Sequence, residues 1–188
     1  MMRIILCSSS QRRKELVKKF KIPYFIYHPD VEENIKIHDP IRLVKKLALL
    51  KALDGVKRFP EGKGIALGVD TIVVLLGEII GKPKDSFEAI KILNKLNGST
   101  HKVYSGFALV DCNTGKTIVD YEVTKVKMRR LTQERLKSLS SKHLDKAGAY
   151  AVQEKDDCFV EKIYGDFDNV VGLPVKKINR ALYLKFSV

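Results

Sequence analysis

The run Ile4-Ile5-Leu6-Cys7, followed at once by Ser8-Ser9-Ser10-Gln11-Arg12-Arg13 and then by Glu15-Leu16-Val17-Lys18-Lys19-Phe20, reads as a strand, a hydroxyl-rich turn and a helix. A buried strand that ends in hydroxyls and guanidiniums forces the chain toward an α/β design, with polar residues gathered where strands end. The pattern recurs. Ile65 to Leu76 is apolar except for Asp70-Thr71, and Leu76-Gly77-Glu78-Ile79-Ile80 reads as a returning turn before Gly81-Lys82-Pro83. Asp39-Pro40 predicts a helix start, with Leu43, Leu47 and Leu50 at helical spacing up to Gly55. Ser86 is expected to cap a further helix whose Phe87, Ile90, Leu93 and Leu96 form an inward stripe ended by Gly98. Val103 to Met128 reads as two long strands joined by Asn113-Thr114-Gly115-Lys116.

At 188 residues and 45% hydrophobic content, the chain can bury one sizeable core, so a single domain over 1–188 is expected, built as two lobes around a cleft. No apolar run reaches the roughly 20 residues that span a bilayer, and Met1-Met2-Arg3 leads straight into the first strand, so a cytoplasmic protein without a membrane partner is expected. Cys7, Cys112 and Cys158 form no C-x-x-C pair and read as reduced, buried thiols.

The net charge of +13 invites nucleic acid as a partner. Its distribution argues against that. Residues 1–60 carry 14 basic against 6 acidic side chains and the remainder 21 against 16, so no basic arm exists, and Lys18, Lys19, Lys45, Lys46, Lys91 and Lys95 read as solvated helix faces.

The turn after Cys7 has the makings of an anion cradle: a helix start with unpaired N–H groups, the Ser8 and Ser10 hydroxyls, and the forked cations of Arg12 and Arg13. Asp70 stands either at a strand end or in the core, where a carboxylate is costly unless paired; a turn aspartate is the plainer alternative. Glu32-Glu33 reads as an exposed acidic pair. Two carboxylates from separate segments would nevertheless suit magnesium, which completes its shell with water and substrate oxygens. Lys51 reads as a snorkelling surface lysine, Lys82 as a cation on a short stiff loop, and Gln153 as either a surface amide or a base reader.

The order of the motifs adds more than any one of them. Ser8-x-Ser10-x-Arg12-Arg13-x-Glu15-Leu16, Glu32-Glu33, Leu50-Lys51-Ala52, Gly68-Val69-Asp70-Thr71-Ile72-Val73, Gly81-Lys82-Pro83, Leu96-Asn97-Gly98-Ser99-Thr100-His101-x-Val103, Asp145-Lys146-Ala147-Gly148-Ala149-Tyr150 with Gln153, and Val170-Val171-Gly172-Leu173-Pro174 together resemble the Maf family of nucleoside triphosphate pyrophosphatases. The resemblance implies an elongated mixed β-sheet flanked by helices, with two lobes around a cleft, similar to the inosine triphosphate pyrophosphatases. It implies hydrolysis between the α and β phosphates, giving a monophosphate and pyrophosphate with Mg²⁺ or Mn²⁺. It also leaves room for a homodimer, although no sequence feature fixes an interface.

By the same resemblance, Asp70 is the expected general base and Glu33 its metal partner. Arg13, Lys51 and Lys82 are expected to hold the polyphosphate, helped by Ser8 and Ser10, and Arg12, Thr71 and Gln153 are expected to set base choice. Those last three match the subclass that favours dTTP and UTP; a subclass favouring 7-methylated GTP carries tryptophan, glutamine and glutamate there. Cys7, Gln11 and Ala151 depart from the usual alanine, proline and glycine. A nucleic-acid-binding or cell-division (septum) regulatory protein without hydrolysis is the alternative reading.

Overall fold

The computed structural model describes residues 2–59 and 64–186. Its elements run β1 (Ile4–Cys7), α1 (Gln11–Leu16), β2 (Tyr24–Tyr27), α2 (Pro40–Arg58), β3 (Ile65–Leu75), β4 (Glu78–Ile80), α3 (Ser86–Leu96), β5 (Thr100–Asp111), β6 (Thr117–Met128), α4 (Gln133–Leu139), β7 (Val160–Tyr164), α5 (Phe167–Val171) and α6 (Val175–Phe186). The strands form one mixed sheet in the order β2-β1-β3-β5-β6-β7, with β4 pairing on β3. β1 is parallel to β2 and to β3, whereas β3 with β4 and β6 with β7 are antiparallel. The mixed sheet flanked by helices is the α/β architecture expected.

The chain gathers into two compact units: Met1–Asp70 with Ser105–Glu122 and Gly172–Val188, and Thr71–Tyr104 with Val123–Val171. Three of the boundaries fall inside β3, β5 and β6 rather than in linkers, so no shift in composition marks them.

In the first unit, α2 lies unusually close to the sheet because small residues line the contact. Ala48 and Ala52 of α2 pack with Ile5, Cys7, Ala66, Ala108 and Val110. A Cβ added to Gly68 would stand 2.0 Å from the Ala48 carbonyl oxygen, and one on Gly106 2.3 Å from that of Val44. Gly55 does not end the helix as its glycine suggested. It is buried within α2, where a Cβ would meet Cys7 Sγ at 2.3 Å, and the helix continues to Arg58. The start is as expected: Asp39 accepts from the Arg42 N–H, and Pro40 takes the first helical position.

The second unit has its own core of Val73, Leu93, Leu96, Val103, Val126, Met128 and Leu136 among others. Here the helix prediction needs correcting. Asp85, not Ser86, caps α3 by accepting from Glu88 N–H, and Phe87 is 69% exposed while Ala89, Ile92, Leu93 and Leu96 are buried. The face turned to the core is that of Ala89, Ile92, Leu93 and Leu96, and Phe87 faces outward, where Lys91 one turn on lies over its ring. Of the three cysteines, Cys7 is buried, Cys112 half-buried and Cys158 exposed, so the expectation of buried thiols holds in full only for Cys7.

Candidate active site

The close packing of α2 on β3 delivers one side chain to another. Side chains alternate along a strand, so Ala66, Gly68 and Asp70 share one face of β3. Ala66 and Gly68 leave room for the helix, and Asp70 then meets Lys51, three residues beyond Ala48. Lys51 is 6% exposed and Asp70 8%, and Lys51 Nζ lies 2.8 Å from Asp70 Oδ1. Of the places open to Asp70, the paired position in the core is the one it takes, and the surface reading of Lys51 is corrected. Asp70 is neither a turn residue nor a strand end, because β3 runs unbroken through it; Lys51 does not snorkel, because it sits on the buried stripe of Val44, Ala48 and Gly55 in the body of α2.

The same ammonium holds a second carboxylate. Glu33 Oε1 lies 2.8 Å from Lys51 Nζ, and its side chain is largely exposed. Its segment is anchored to α2 by Asp54, whose Oδ2 accepts from the Tyr27 hydroxyl at 2.9 Å and from the Asp30 N–H at 3.0 Å. Two carboxylates from separate segments thus converge on one nitrogen.

Ser8 is 3% exposed, and its oxygen accepts from Ser10 N–H at 3.2 Å and from Arg13 Nη1 at 3.2 Å. Its first task is to shape the loop. Ser10 occupies the N-cap of α1 without a side-chain cap bond. Because α1 has only six residues, its backbone dipole adds little at this turn. Arg13 Nε donates to the Gly172 carbonyl at 2.8 Å across 159 residues, which gives the Val170–Pro174 motif a physical task. Burial pushes the Arg13 guanidinium pKa down, Asp70 and Glu33 oppose that, and Arg12 adds to it. The first unit therefore assembles Ser8, Arg12, Arg13, Glu33, Lys51 and Asp70 as one charged cluster.

Thr71, Lys82 and Gln153 belong to the second unit. Thr71 follows Asp70 on β3 and so lies on the other face. Lys82 and Gln153 are exposed on loops. The two loops are joined by backbone: Gly148 N–H donates to the Gly81 carbonyl at 3.2 Å. Gly148 (φ 77°) and Ala149 (φ 56°) make a left-handed turn, and the Tyr150 ring packs over Gly148. The Tyr150 hydroxyl bonds His101 Nε2 at 2.8 Å. Further along the loop, His143 Nε2 lies 2.6 Å from Asp157 Oδ2. His101 and Tyr150 both stand in the motifs of the sequence, but nothing in either motif indicates their partnership across 49 positions; a histidine and a tyrosine amid small apolar residues are the available signal.

Among the described residues no group of three or more His, Cys, Asp or Glu side chains is arranged to hold a metal. Asp70 and Glu33 are nonetheless hard oxygen donors held within reach of one cation, a donor set that suits Mg²⁺ or Mn²⁺ with water and phosphate oxygens completing the shell.

The chain matches the Maf-like protein family over residues 3–184. It belongs to the Maf family. Among Maf relatives, the dTTP/UTP pyrophosphatase of Elusimicrobium minutum is 41% identical over 181 residues, covering 96% of this chain and 97% of that one. The dTTP/UTP pyrophosphatase of Caldanaerobacter subterraneus subsp. tengcongensis is 43% identical, covering 100% and 91%. The Staphylococcus aureus Ham1 protein superposes with a TM-score of 0.56 at 14% identity, covering 96% of this chain and 97% of its own, a likeness of fold. No helix of the described residues is long and apolar enough to cross a membrane.

Proposed function

We propose that this Maf protein hydrolyses the α–β phosphoanhydride of dTTP and UTP, and of modified pyrimidine triphosphates, to the monophosphate and pyrophosphate, and so removes unwanted nucleotides from the cytoplasmic pool. The observation that carries this reading is the cluster in which Lys51 is shared by Asp70 and Glu33 beside Arg13. Cleaving a phosphoanhydride calls for charge neutralisation and alignment more than for a covalent nucleophile, and the cluster supplies carboxylates and cations in one place. Relatives about 40% identical over nearly their whole length bear the dTTP/UTP pyrophosphatase name, which supports the substrate assignment.

Asp70 accepts the proton of the attacking water; as the new P–O bond forms, the bond to the bridging oxygen breaks and pyrophosphate leaves with its electron pair. Arg13, Lys51 and Lys82 offset the charge that collects on the leaving group. Asp70 and Glu33 would hold a divalent cation, which supplies polarisation of phosphoryl oxygens when bound. Ser8 keeps Arg13 and the loop in place, and Ser10 contributes a donor. Thr71, Gln153 and Arg12 read the base, since an amide left unpaired by the wrong base costs about 1–3 kcal/mol. The chain over 1–188 acts as one functional domain.

The test is pyrophosphate release from dTTP, UTP, CTP, 7-methyl-GTP, ITP and ATP with Mg²⁺ or Mn²⁺. Turnover of dTTP and UTP is expected, and Asp70→Asn should lower kcat by about 10²–10⁴-fold, the usual range for losing a positioned base. Preferential turnover of ITP would reject the pyrimidine assignment. Salt-dependent DNA binding without any turnover would favour the nucleic-acid reading.

A further inference from the structure

A lysine ammonium sits where the two carboxylates would need a metal. We infer that Lys51 is an internal counter-ion that blocks the Asp70–Glu33 metal site until the triphosphate draws it away, so that the cation binds with the nucleotide rather than before it. The inference rests on the assignment of Asp70 and Glu33 as metal donors.

Lys51 Nζ is 2.8 Å from an oxygen of each carboxylate, so it occupies the gap between them. Mg²⁺ takes its oxygens at about 2.0–2.1 Å. An ammonium and a divalent cation cannot fill that gap together: they compete for the same lone pairs, and they repel. Nor can the ammonium leave at no cost. It is nearly buried, its neighbours Ala48 and Ala52 have no polar side chain, and Arg12 and Arg13 add positive charge nearby. Released from both carboxylates without a new partner, it would be an uncompensated charge in a poorly solvated place.

A triphosphate changes that balance. Its oxygens offer the ammonium a replacement anion, and the four-carbon lysine stem can swing its head without moving α2. Once Lys51 has turned to phosphate, the Asp70 and Glu33 oxygens that faced its ammonium can accept a cation, and Asp70 Oδ1 is released from the Lys51 hydrogen bond. A single side-chain movement therefore couples nucleotide arrival to metal entry and to the freeing of the base. Such coupling is reciprocal: whatever affinity the nucleotide adds for the metal, the metal adds for the nucleotide.

The experiment is a titration of Mn²⁺ alone into the full-length protein, followed by electron paramagnetic resonance and repeated with a non-hydrolysable α,β-imido-dUTP. Wild type, Lys51→Gln, Lys51→Met, Lys51→Arg and Asp70→Asn are compared. Lys51→Met keeps the stem's bulk and serves if the glutamine variant folds poorly. The inference expects Lys51→Gln and Lys51→Met to bind Mn²⁺ without nucleotide at least about tenfold more tightly than wild type, a change of about 1.4 kcal/mol. Lys51→Arg, which keeps the charge, should gain no such affinity, and the extra affinity conferred by the analogue should shrink in the two neutral variants. Equal affinity for Mn²⁺ alone in wild type and the neutral variants, with binding lost in Asp70→Asn, would overturn the counter-ion role and leave the metal site standing. No Mn²⁺ bound by any variant even with the analogue would overturn the metal-site assignment, and the inference with it.

Discussion

Lys51 of the first unit and Lys82 of the second are built in opposite ways. Lys51 is 6% exposed, rises from a long helix and is fixed by two ion pairs; Lys82 is exposed on the loop between β4 and α3, and what is fixed there is the backbone, through Gly81 and Gly148. The first unit places Lys51 by packing and holds it between two carboxylates. The second unit fixes the backbone of the Gly81 and Gly148 loops and leaves Lys82 and Gln153 exposed.

The sharpest way to break this comparison is with a pair of glycines. Gly68→Ala forces a Cβ to within 2.0 Å of the Ala48 carbonyl, so α2 must shift and the Lys51–Asp70 contact with it. Thermal and urea unfolding should show a loss of at least about 3 kcal/mol, together with loss of turnover. Gly81→Ala, with nothing within 4 Å of the added Cβ, should stay within about 0.5 kcal/mol of wild type. Similar behaviour of the two variants would undo the distinction.

Acid should expose the second unit. His101 is 1% exposed, and burial pushes its pKa from 6.5 down to about 4. The unfolded chain therefore binds the proton more readily than the folded one. This contribution is fully present above pH 6.5 and is lost as pH falls from 6.5 toward 4, by at most about 3 kcal/mol. Unfolding measured between pH 7.5 and 4.5, with hydrogen exchange of the Leu93 and Val103 amides as the local probe, should show that slope, and His101→Gln should flatten it.

A smaller effect is expected from Tyr150→Phe. His101 Nδ1 has no hydrogen-bond partner among the described residues, so removing the hydroxyl leaves both ring nitrogens unsatisfied, at a cost of about 1–3 kcal/mol. A melting temperature equal to wild type would show that the pair does not hold the turn. Least of all should Lys82→Ala change stability, within about 0.5 kcal/mol by urea unfolding, because the side chain is exposed; its turnover of dTTP should still fall.

Much of the local structure was legible. The Asp39-Pro40 start, the Ile4–Cys7 strand with its hydroxyl turn and the paired strands β5 and β6 follow from neighbours in the chain. The cap of α3 is ambiguous in the sequence because Asp85 and Ser86 are both good caps, and its buried face is set by the core it meets, which the local pattern does not show. Lys51 was misread for a related reason. Leu47 and Leu50 nearby suggest a surface stem, whereas its spacing from Val44 and Ala48 puts it on the buried stripe. For Asp70 the sequence leaves a strand end, a turn and a paired place in the core all open, because the partner that decides between them, Lys51, comes from another element.

By itself, the sequence determined the element types, the membership of the Maf family and the chemical inventory of the site, since these depend on periodicity, local hydrogen bonding and ordered motifs. Only the tertiary structure decided which charges meet. Lys51 is 18 residues from Glu33 and 19 from Asp70, and Arg13 finds its carbonyl at Gly172, so each pairing waits on α2 settling on β3 or on the chain's far end returning. The reason is physical: a buried charge is stable only with its partner in place, and that partner is brought there by the packing of glycines and alanines that carry no charge themselves.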